Sequence, residues 1–340
     1  MITINKNNLD EIKHVCSIAK TKAPIEALQN VKLTATDDSL TLKASDLNIE
    51  ITRAIEADVK SDFETTVNAQ KFAQSVAACG SQINIEMLTG AIQIKSGRKR
   101  FKLPTLSAEM FPEFPKSEEL DQLDIDSIEL AQLTKAVLFA SGVNDVRYIL
   151  NGVFVGAHIV GTDGHRMSWI KSDLDCSLIL PRDSVNAMPE IGGGKVYYNQ
   201  NILCVEYDDL IFKTKLIDGK YVSYERLIPS YDKSIAVNKT EFIDSIKSAM
   251  ITANEKSRAV IFEFCDESTV RSKSGTGHDS SIGFESDCAE SIELAINSDY
   301  LLAAVNNAES EDLKIQYKDG TSPVFIEGEI VNSLVMPVRV

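Results

Sequence analysis

The feature that most constrains this chain of 340 residues is an internal repeat. Three segments, beginning near residues 4, 125 and 237, read as a short strand that runs directly into an amphipathic helix. In each segment apolar residues recur at three- and four-residue spacing, as on the buried face of a helix. Asp126 or Ser127 suits the N-cap of the middle helix. Such self-similarity indicates that one supersecondary unit is used several times.

A weaker copy of the pattern lies inside each repeat, at residues 66–72, 179–185 and 295–301. The remaining segments alternate apolar and polar residues, which is typical of strands with one buried face. Each third of the chain therefore predicts two strand–helix–strands units, an α+β fold with helices on one face of antiparallel sheet. Polar joints predict three domains, at residues 1–118, 119–234 and 235–340.

Three similar domains in a row leave a sheet edge uncovered at each end. An uncovered edge invites pairing with another chain. A head-to-tail contact that rotates as it repeats closes into a ring. Geometry alone thus suggests a ring as a hypothesis.

Composition narrows the classes of function. A net charge of −15 argues against a protein that coats nucleic acid by bulk electrostatics, although basic residues gathered on one surface would still permit DNA contact. The six cysteines include no CxxC pair, which predicts reduced thiols rather than a metal or redox site. Apolar runs of membrane-spanning length and a signal peptide are both lacking, so a cytoplasmic protein without membrane association is expected.

Several motifs follow one another in a fixed order. They are Gly161-Thr162-Asp163-Gly164-His165-Arg166-Met167, then Ala253-Asn254-Glu255-Lys256, then Leu334-Val335-Met336-Pro337-Val338-Arg339-Val340. Together they resemble the bacterial sliding clamp, the beta subunit of the replicative DNA polymerase III, and the resemblance covers the whole chain. It implies a head-to-tail homodimeric ring around duplex DNA, with helices lining the hole and sheets outside. It also implies no catalysis and no cofactor of its own, since a clamp loader opens the ring with ATP and a polymerase is tethered to it.

The resemblance further implies a groove between the second and third domains that binds a short peptide with a glutamine and bulky apolar residues. The residues carried over to this groove are Leu150, Thr162, Gly164, His165, Arg166, Met167, Arg226, Leu227, Asn297, Tyr300, Leu334, Val335, Met336, Pro337, Val338 and Arg339. Apolar anchors in pockets and a polar rim would supply affinity and orientation. Met167 and Val340 stand where the family often has leucine, a difference that bears on the shape of the pocket.

Basic residues are the candidates for DNA contact. The seven-residue spacing of Lys6, Lys13 and Lys20 predicts that they share one helical face. The predicted DNA-facing set is Lys13, Lys20, Lys71, Lys135, Arg147, Tyr148, Arg182, Lys247 and Lys256. Phosphate contacts of this kind ignore base sequence and weaken steeply with salt. The alternative is that these lysines only solvate exposed helix faces. Residues 300–307 carry no basic side chain, so DNA contact is expected to be looser there.

A basic cluster, Arg98-Lys99-Arg100, precedes Phe101 and Leu103. Such a cluster can bind nucleic acid, and it can also protect an exposed strand edge. By resemblance, this strand forms one side of the dimer joint, with Phe101 and Leu103 as its apolar part. Ile251 would lie on the opposite side.

Two alternatives stay open. Asp163 and His165 bring a carboxylate and an imidazole close together, as a hydrolytic site would, but no nucleophile or second carboxylate is visibly paired with them. A turn in which Gly164 supplies a permissive backbone explains the same residues. The chain could also be an interaction scaffold with the clamp fold and no DNA-encircling role.

Overall fold

The computed structural model describes residues 1–20, 22, 25–114, 120–265, 267–274, 277–288 and 290–339. The predicted domain joint at residue 118 and the terminal Val340 lie outside these residues. Within them, every strand pairing is antiparallel, as the sequence predicts.

The described residues form six α-helices, and each begins in or directly after a segment where the sequence predicts a strand entering a helix. They are α1 (Leu9–Ile18), α2 (Ala69–Ala77), α3 (Ser127–Leu138), α4 (Arg182–Ala187), α5 (Lys239–Met250) and α6 (Ser298–Asn307). The predicted helix positions are therefore confirmed, including those of the weaker copies.

An asparagine caps three of these helices at the same place in the repeat. The side-chain oxygens of Asn68, Asn238 and Asn297 accept hydrogen bonds from the backbone N–H three residues further on, at 3.0, 3.1 and 3.1 Å. Each cap satisfies one of the N–H groups that a helix leaves without an internal partner. For α3 the cap is Asp126, whose Oδ1 accepts from the N–H of Ile128 at 2.9 Å, as predicted.

The strands are short and regular. In the first half of the chain they are β1 (Ile2–Asn5), β2 (Asn30–Thr36), β3 (Ser39–Ser45), β4 (Ile49–Glu56), β5 (Asp58–Val59), β6 (Phe63–Asn68), β7 (Gln82–Leu88), β8 (Ala91–Ser96), β9 (Lys99–Leu106), β10 (Asp121–Leu123), β11 (Gly152–Val155), β12 (His158–Thr162) and β13 (Arg166–Lys171). The rest are β14 (Leu178–Pro181), β15 (Lys195–Tyr198), β16 (Ile202–Glu206), β17 (Leu210–Lys215), β18 (Lys233–Asn238), β19 (Ala259–Phe264), β20 (Thr269–Lys273), β21 (Asp279–Gly283), β22 (Asp287–Cys288), β23 (Ile292–Asn297), β24 (Asp312–Tyr317), β25 (Val324–Glu327) and β26 (Asn332–Val335).

The chain divides into two compact units, of which the first comprises Met1–Glu129 and Ala187–Leu216. Its strands form one sheet in the order β10-β15-β16-β17-β4-β3-β2-β6-β9-β8-β7-β1-β5. Strand β17, from the middle third of the chain, pairs with β4 from the first third, so that Phe212 lies opposite Ile51. The first unit therefore contains strands from two of the three predicted domains.

The core of the first unit follows from the alternation in its strands. Helix α1 lies against β3 and β4, and α2 lies against β2 and β6. Leu40 and Leu42 of β3 are fully buried, whereas the residue after Leu42, Lys43, is only half-buried. Ile12 and Phe72 bring fully buried side chains from the helices. One face of the sheet is thus covered by helices, as the period-two pattern requires.

The second unit comprises Leu130–Asn186 and Ile217–Val340. It holds a sheet in the order β14-β11-β12-β13-β26-β25-β24-β18-β22 and a smaller one in the order β21-β20-β19-β23. Strand β13 of the middle third pairs with β26 at the end of the chain, which sets Met167 opposite Leu334. The middle third is shared between the two units, and domain boundaries at 118 and 234 stay a prediction.

Aromatic side chains fill the core beneath α5 in the second unit. The ring of Phe242 lies 5.3 Å from that of Phe262, and Phe264 stacks on Phe262 at 5.6 Å. Phe284 meets Phe264 edge to face at 5.7 Å. Rings at these separations add to the stability that burial alone provides.

The predicted common helical face of Lys6, Lys13 and Lys20 is wrong. Helix α1 covers only Leu9–Ile18, so that Lys13 alone lies on it. Lys6 lies in the 3-10 turn before the helix, and Lys20 follows its end. The spacing argument fails because it assumes a continuous helix of three heptad positions, which the chain does not form.

Lys6 has a different role, which Lys239 repeats. The Lys6 ammonium donates to the carbonyls of Ala77 and Cys79, at 3.0 and 2.8 Å, where α2 ends. Lys239 occupies the equivalent position and donates to the carbonyl of Ala308, after α6, at 2.7 Å. A cation at the carboxyl end of a helix satisfies unpaired carbonyls and complements the helix dipole.

Strand β12 passes very close to the last turn of α3. A β-carbon built on Gly161 would lie 2.3 Å from the carbonyl oxygen of Val137, well inside contact distance. Only a residue without a side chain allows this approach. Gly161 therefore fixes how β12 meets α3.

We expect the substitution Gly161→Ala to lower the free energy of unfolding by about 1–3 kcal/mol, the usual cost of an overpacked core. Gly283→Ala is the control in the same unit, because its β-carbon would meet nothing nearer than 3.9 Å. Thermal and urea unfolding of the two variants measures the difference. An unchanged Gly161→Ala protein would show that the backbone yields at this contact.

Candidate functional site

A tight turn between β12 and β13 organises the candidate site in the second unit. Oδ1 of Asp163 accepts hydrogen bonds from the backbone N–H groups of His165 and Arg166, at 2.9 and 3.1 Å. The Thr162 hydroxyl donates to the Arg166 carbonyl at 2.6 Å and accepts from the N–H of Gly164 at 3.1 Å. Gly164 has a φ of +85°, a conformation that favours glycine. The turn proposed for these residues is present.

Side chains of this turn build a wall with Tyr300 of α6. The guanidinium carbon of Arg166 lies 4.5 Å from the centre of the Tyr300 ring, in cation–π geometry. The His165 ring lies 6.2 Å from Tyr300 with 21° between the ring planes. The Nε of Arg166 donates a hydrogen bond to Oδ2 of Asp163 at 3.0 Å. The Asp163 carboxylate is thus engaged in shaping the turn, which is a structural role.

The end of the chain runs along this wall. The N–H of Met336 donates to the His165 carbonyl at 2.9 Å, and the N–H of Val338 donates to the Ala295 carbonyl at 2.8 Å. Pro337 forms an isolated antiparallel β-bridge with Ile296. Met336 is 40% exposed, whereas Val335 before it is fully buried in the core. The tail therefore presents Met336 beside the His165 turn.

Apolar residues form the base of the site. Leu150, Met167 and Leu334 are all buried, and they share one cluster with Trp169 and Tyr224. Trp169 of β13 stacks on Phe325 of β25 at 5.4 Å. This cluster joins strands of the middle and last thirds of the chain. It therefore fixes the position of the apolar base beneath the wall formed by the turn and Tyr300.

Two other predicted groove residues are exposed on the 3-10 turn Tyr224–Leu227. Tyr224 anchors that turn in the apolar cluster, while Arg226 and Leu227 remain exposed, Leu227 by 52%. Asn297 instead caps α6 and donates its amide to the Ser257 carbonyl at 3.0 Å. Arg339 is exposed at the end of the described chain. The contacts thus join the turn, Tyr300 and residues 334–338 directly, and they give Asn297 a role in positioning α6.

Phe139, at 5.8 Å from the Arg166 guanidinium, was not foreseen from the sequence. The hydrogen bonds by which Asp163 organises the turn were also not foreseen, although the turn itself was one of the two explanations offered for this segment. An aspartate followed by glycine at a turn is the signal that could have indicated them, because such side chains bond to backbone two residues on.

The predicted DNA-facing residues of the first unit are exposed lysines. Lys13 and Lys71 lie on α1 and α2, and Lys13 has only an exposed partner, Asp10, at 3.6 Å. Lys20 is paired with Asp46 at 3.1 Å. An exposed pair such as Lys13–Asp10 is weak, so it leaves Lys13 able to exchange partners.

In the second unit the predicted set is more varied. Lys247, Lys256 and Arg147 are exposed, Tyr148 is 60% exposed, and Lys135 is half-buried on α3. Nη1 of Arg182 donates to the Leu138 carbonyl and to the hydroxyl of Ser141, both at 2.6 Å. Burial lowers the pKa of Arg182 from its usual value. Arg182 therefore braces the end of α3, and its contact with DNA stays a prediction.

The residues predicted for a dimer joint lie at accessible positions. Phe101 and Leu103 are half-buried on β9, which pairs with β8 over Lys99–Pro104. The second edge of β9 pairs with β6 only at Thr105 and Leu106 among the described residues. Ile251, directly after α5, is 84% exposed. Both sides of the predicted joint thus offer apolar side chains to a partner.

All six cysteines lie in the described part of the chain, and none of them forms a disulfide there. No three His, Cys, Asp or Glu side chains among the described residues are placed to hold a metal ion. Nor does any described helix combine the length and the apolarity that crossing a membrane requires.

Family models match nearly the whole chain. The N-terminal domain of the DNA polymerase III beta subunit matches residues 1–115, its central domain residues 124–223, and its C-terminal domain residues 225–339. Among curated relatives, the beta sliding clamp of Vibrio cholerae is 26% identical over 99% of both chains. That of Escherichia coli is 28% identical over 92% of both.

Solved structures agree in fold. The DNA polymerase III beta subunit of Caulobacter crescentus superposes with a TM-score of 0.92 at 25% identity, over all of both chains. A sliding clamp from Bartonella birtlesii bound to griselimycin gives a TM-score of 0.94 at 23% identity, over 100% of this chain and 99% of that one. The α+β fold predicted from the sequence is confirmed.

One carboxylate near the site has a strongly shifted acidity. A hydrogen bond from the Arg147 side chain, helped by one from its backbone, lowers the pKa of Asp145 from 3.8 to about 2. A carboxyl whose pKa is depressed by folding stabilises the protein above its unfolded-state value. That contribution is lost as the pH falls through the folded-state value. The stabilisation that the Arg147–Asp145 pair contributes should therefore be fully present above about pH 4 and be lost as the pH falls toward 2, where Asp145 becomes protonated.

We expect Asp145 to remain ionised in the folded protein at pH 3, and the variant Arg147→Ala to return its midpoint toward 3.8. Carboxyl carbon shifts in an NMR titration measure this, with emission of the single tryptophan reporting the folded fraction. Lys247→Ala serves as the control and should leave the midpoint unchanged. A wild-type midpoint in the ordinary aspartate range would rule out the pair in solution.

Proposed function

The chain belongs to the DNA polymerase III beta-subunit family and is a sliding clamp, and from that premise we propose how its parts serve the function. Two copies join head to tail in a ring that encloses duplex DNA, with helices inside and sheets outside. A clamp loader opens the ring, and the groove of the second unit holds the polymerase. The protein itself carries out no reaction. Because it acts on DNA inside the cell, we expect it in the cytoplasm.

The observation that carries this proposal is the continuity of the sheets across the thirds of the chain. Pairing of β17 with β4 and of β13 with β26 covers strand edges that separate domains would leave open. Among the described residues, the free strand edges then lie at the ends of the three sheets. In the proposed ring, such edges are available for the joint between copies.

DNA is held by enclosure, and the lysines add weak contacts. Lys13 and Lys71 on α1 and α2, with Lys247 on α5, are exposed cations on the helices proposed to face the hole. Contacts of lysines with phosphates do not depend on base sequence, which suits a protein that must slide. A net charge of −15 is compatible with this role, because enclosure needs no strong overall attraction. A scaffold without a DNA role is not favoured.

The groove suits a peptide with bulky apolar side chains. Leu150, Met167 and Leu334 provide an apolar base, and exposed Met336 lies beside it. His165 and Arg166 supply a polar wall whose orientation is fixed by Tyr300. Anchors that fill an apolar pocket under a polar rim are the usual source of affinity in such grooves. A glutamine of the partner would bond to the polar wall.

The joint between copies pairs two sheet edges. Strand β9 offers Phe101 and Leu103, together with the basic Lys99 and Lys102. Strand β21 is the last strand of the small sheet of the second unit and follows α5 and Ile251 in the chain. Edge strands that lack a partner on one side are suited to pair between chains. The contact is heterologous, as a closed head-to-tail ring requires.

The test of enclosure is retention on a singly nicked circular plasmid, with a matched clamp loader and ATP. We expect the protein to stay on circles and to leave when the plasmid is cut, because linear ends release a closed ring. Retention is followed by gel filtration of the DNA complex. Retention that ignores DNA topology, or none at all despite a loader shown to bind the protein, would remove the ring proposal.

Ile251→Asp tests the joint. Placing a charge in an apolar contact should shift dimers toward monomers and weaken association at least about tenfold, equivalent to 1.4 kcal/mol. Sedimentation velocity over a concentration series measures the shift. Met110→Asp is the control, since Met110 is also an exposed apolar residue, at 62%, but lies outside the proposed joint. An equal loss in both variants would point to a general effect of surface charge.

A further inference from the structure

The guanidinium of Arg147 joins two loops of the second unit. Its Nε and Nη2 donate to the two carboxylate oxygens of Asp145, at 3.0 and 2.7 Å. Nη2 also donates to the backbone carbonyl of Asp163 at 2.8 Å. A planar fork with several fixed donors is a geometry that arginine offers and lysine does not. Arg147 thus ties the loop after α3 to the turn that organises the groove.

The loop that carries Asp145 is itself fixed. The N–H of Asp145 donates to the Asn151 side chain at 2.7 Å, and the Asn151 amide returns a bond to the Asp145 carbonyl at 2.8 Å. The N–H of Gly142 donates to the carbonyl of Leu150 at 2.7 Å. Leu150 is buried in the apolar base of the groove. Arg147 is therefore held on a platform that belongs to the same site.

The fit between Arg147 and the turn is close. A β-carbon on Gly164 would lie 2.7 Å from Nη1 of Arg147 and 3.1 Å from its Nη2. The guanidinium therefore lies directly against the backbone at Gly164. A change in its position must move the Asp163 carbonyl or leave that carbonyl without its donor.

The effect passes from Asp163 to the wall of the groove. The Asp163 carboxylate accepts hydrogen bonds from the backbone N–H groups of His165 and Arg166 and from the Nε of Arg166. Arg166 in turn lies over the Tyr300 ring. Loss of the Arg147 contact would leave the Asp163 carbonyl without this donor and let the turn shift, and the wall with it.

We propose that Arg147 is a positioning residue of the partner groove, which acts through the Asp163 carbonyl to hold His165 and Arg166 in the orientation that a bound peptide meets. The proposal rests on the proposed function of that groove. It gives Arg147 a role separate from the DNA contact expected of it as an exposed cation.

The test is binding of a fluorescein-labelled hexapeptide that carries a glutamine, two leucines and a phenylalanine, measured by anisotropy with the full-length protein. We expect Arg147→Ala and Asp145→Asn each to weaken binding about five- to tenfold, because either change removes a contact that holds the turn in place. The double variant should be no weaker than the weaker single variant, because both act through one contact. Arg147→Lys should restore part of the affinity.

Asp145→Asn separates positioning from DNA contact. It leaves the charge of Arg147 in place and removes only the carboxylate that orients it. If Arg147 served DNA alone, Asp145→Asn would bind the peptide like the wild type, and Arg147→Ala would lose only retention on DNA. Lys247→Ala, an exposed cation on α5 away from the turn, is the matched control and should keep peptide affinity. Wild-type affinity in both Arg147→Ala and Asp145→Asn would overturn the proposal.

A second readout does not depend on the peptide. The ring protons of His165 sense the nearby Tyr300 ring, so their NMR shifts in the free protein should change in Arg147→Ala and Asp145→Asn but not in Lys247→Ala. If the wild type fails to bind the peptide, the groove function fails while these shifts still report on positioning. Unchanged His165 shifts in both variants would overturn the positioning role whatever the peptide result.

Discussion

Antiparallel pairing between strands far apart in the chain is the interaction on which the rest of each unit depends. Strands β4 and β17 are separated by more than a hundred residues, and so are β13 and β26. Without the first pair, the strands of the middle third in the first unit would have no large sheet to join. Without the second, the tail would not reach the turn at His165. Helices and loops are placed by these two pairings.

The groove shows how polar and apolar contacts divide this work. Met167 opposite Leu334 sets the depth of the apolar base, because their register is fixed by the ladder. The wall above it depends instead on hydrogen bonds, from Asp163 to the turn and from Arg147 to Asp163. Burial gives the site its place in the fold, and directional bonds give it its shape. A short peptide would need both to be recognised.

Local signals made much of the fold predictable. The strand-to-helix junctions predicted from apolar spacing are all present, and Asp126, one of the two residues expected to cap α3, does cap it. The face predicted for Lys6, Lys13 and Lys20 failed because α1 ends at Ile18 and because Lys6 bonds to carbonyls some seventy positions away. The sharing of the middle third, and the bridge from Arg147 to Asp163, likewise depend on contacts between distant segments. Spacing along one segment carries no information about them. The groove residues came from resemblance, and the structure places the turn, Tyr300 and the tail together.

The middle third gives strands to both units, with β10 and β15–β17 in one and β11–β14 in the other. A chain that arose by repeating one element would at first have been separable into thirds, each able to be lost, exchanged or expressed alone. In this chain the thirds are no longer separable, because removal of any third would leave a strand of another third without its pairing partner. Proteins with this architecture should therefore evolve by substitution of side chains while all three thirds are kept, and not by loss or exchange of one third.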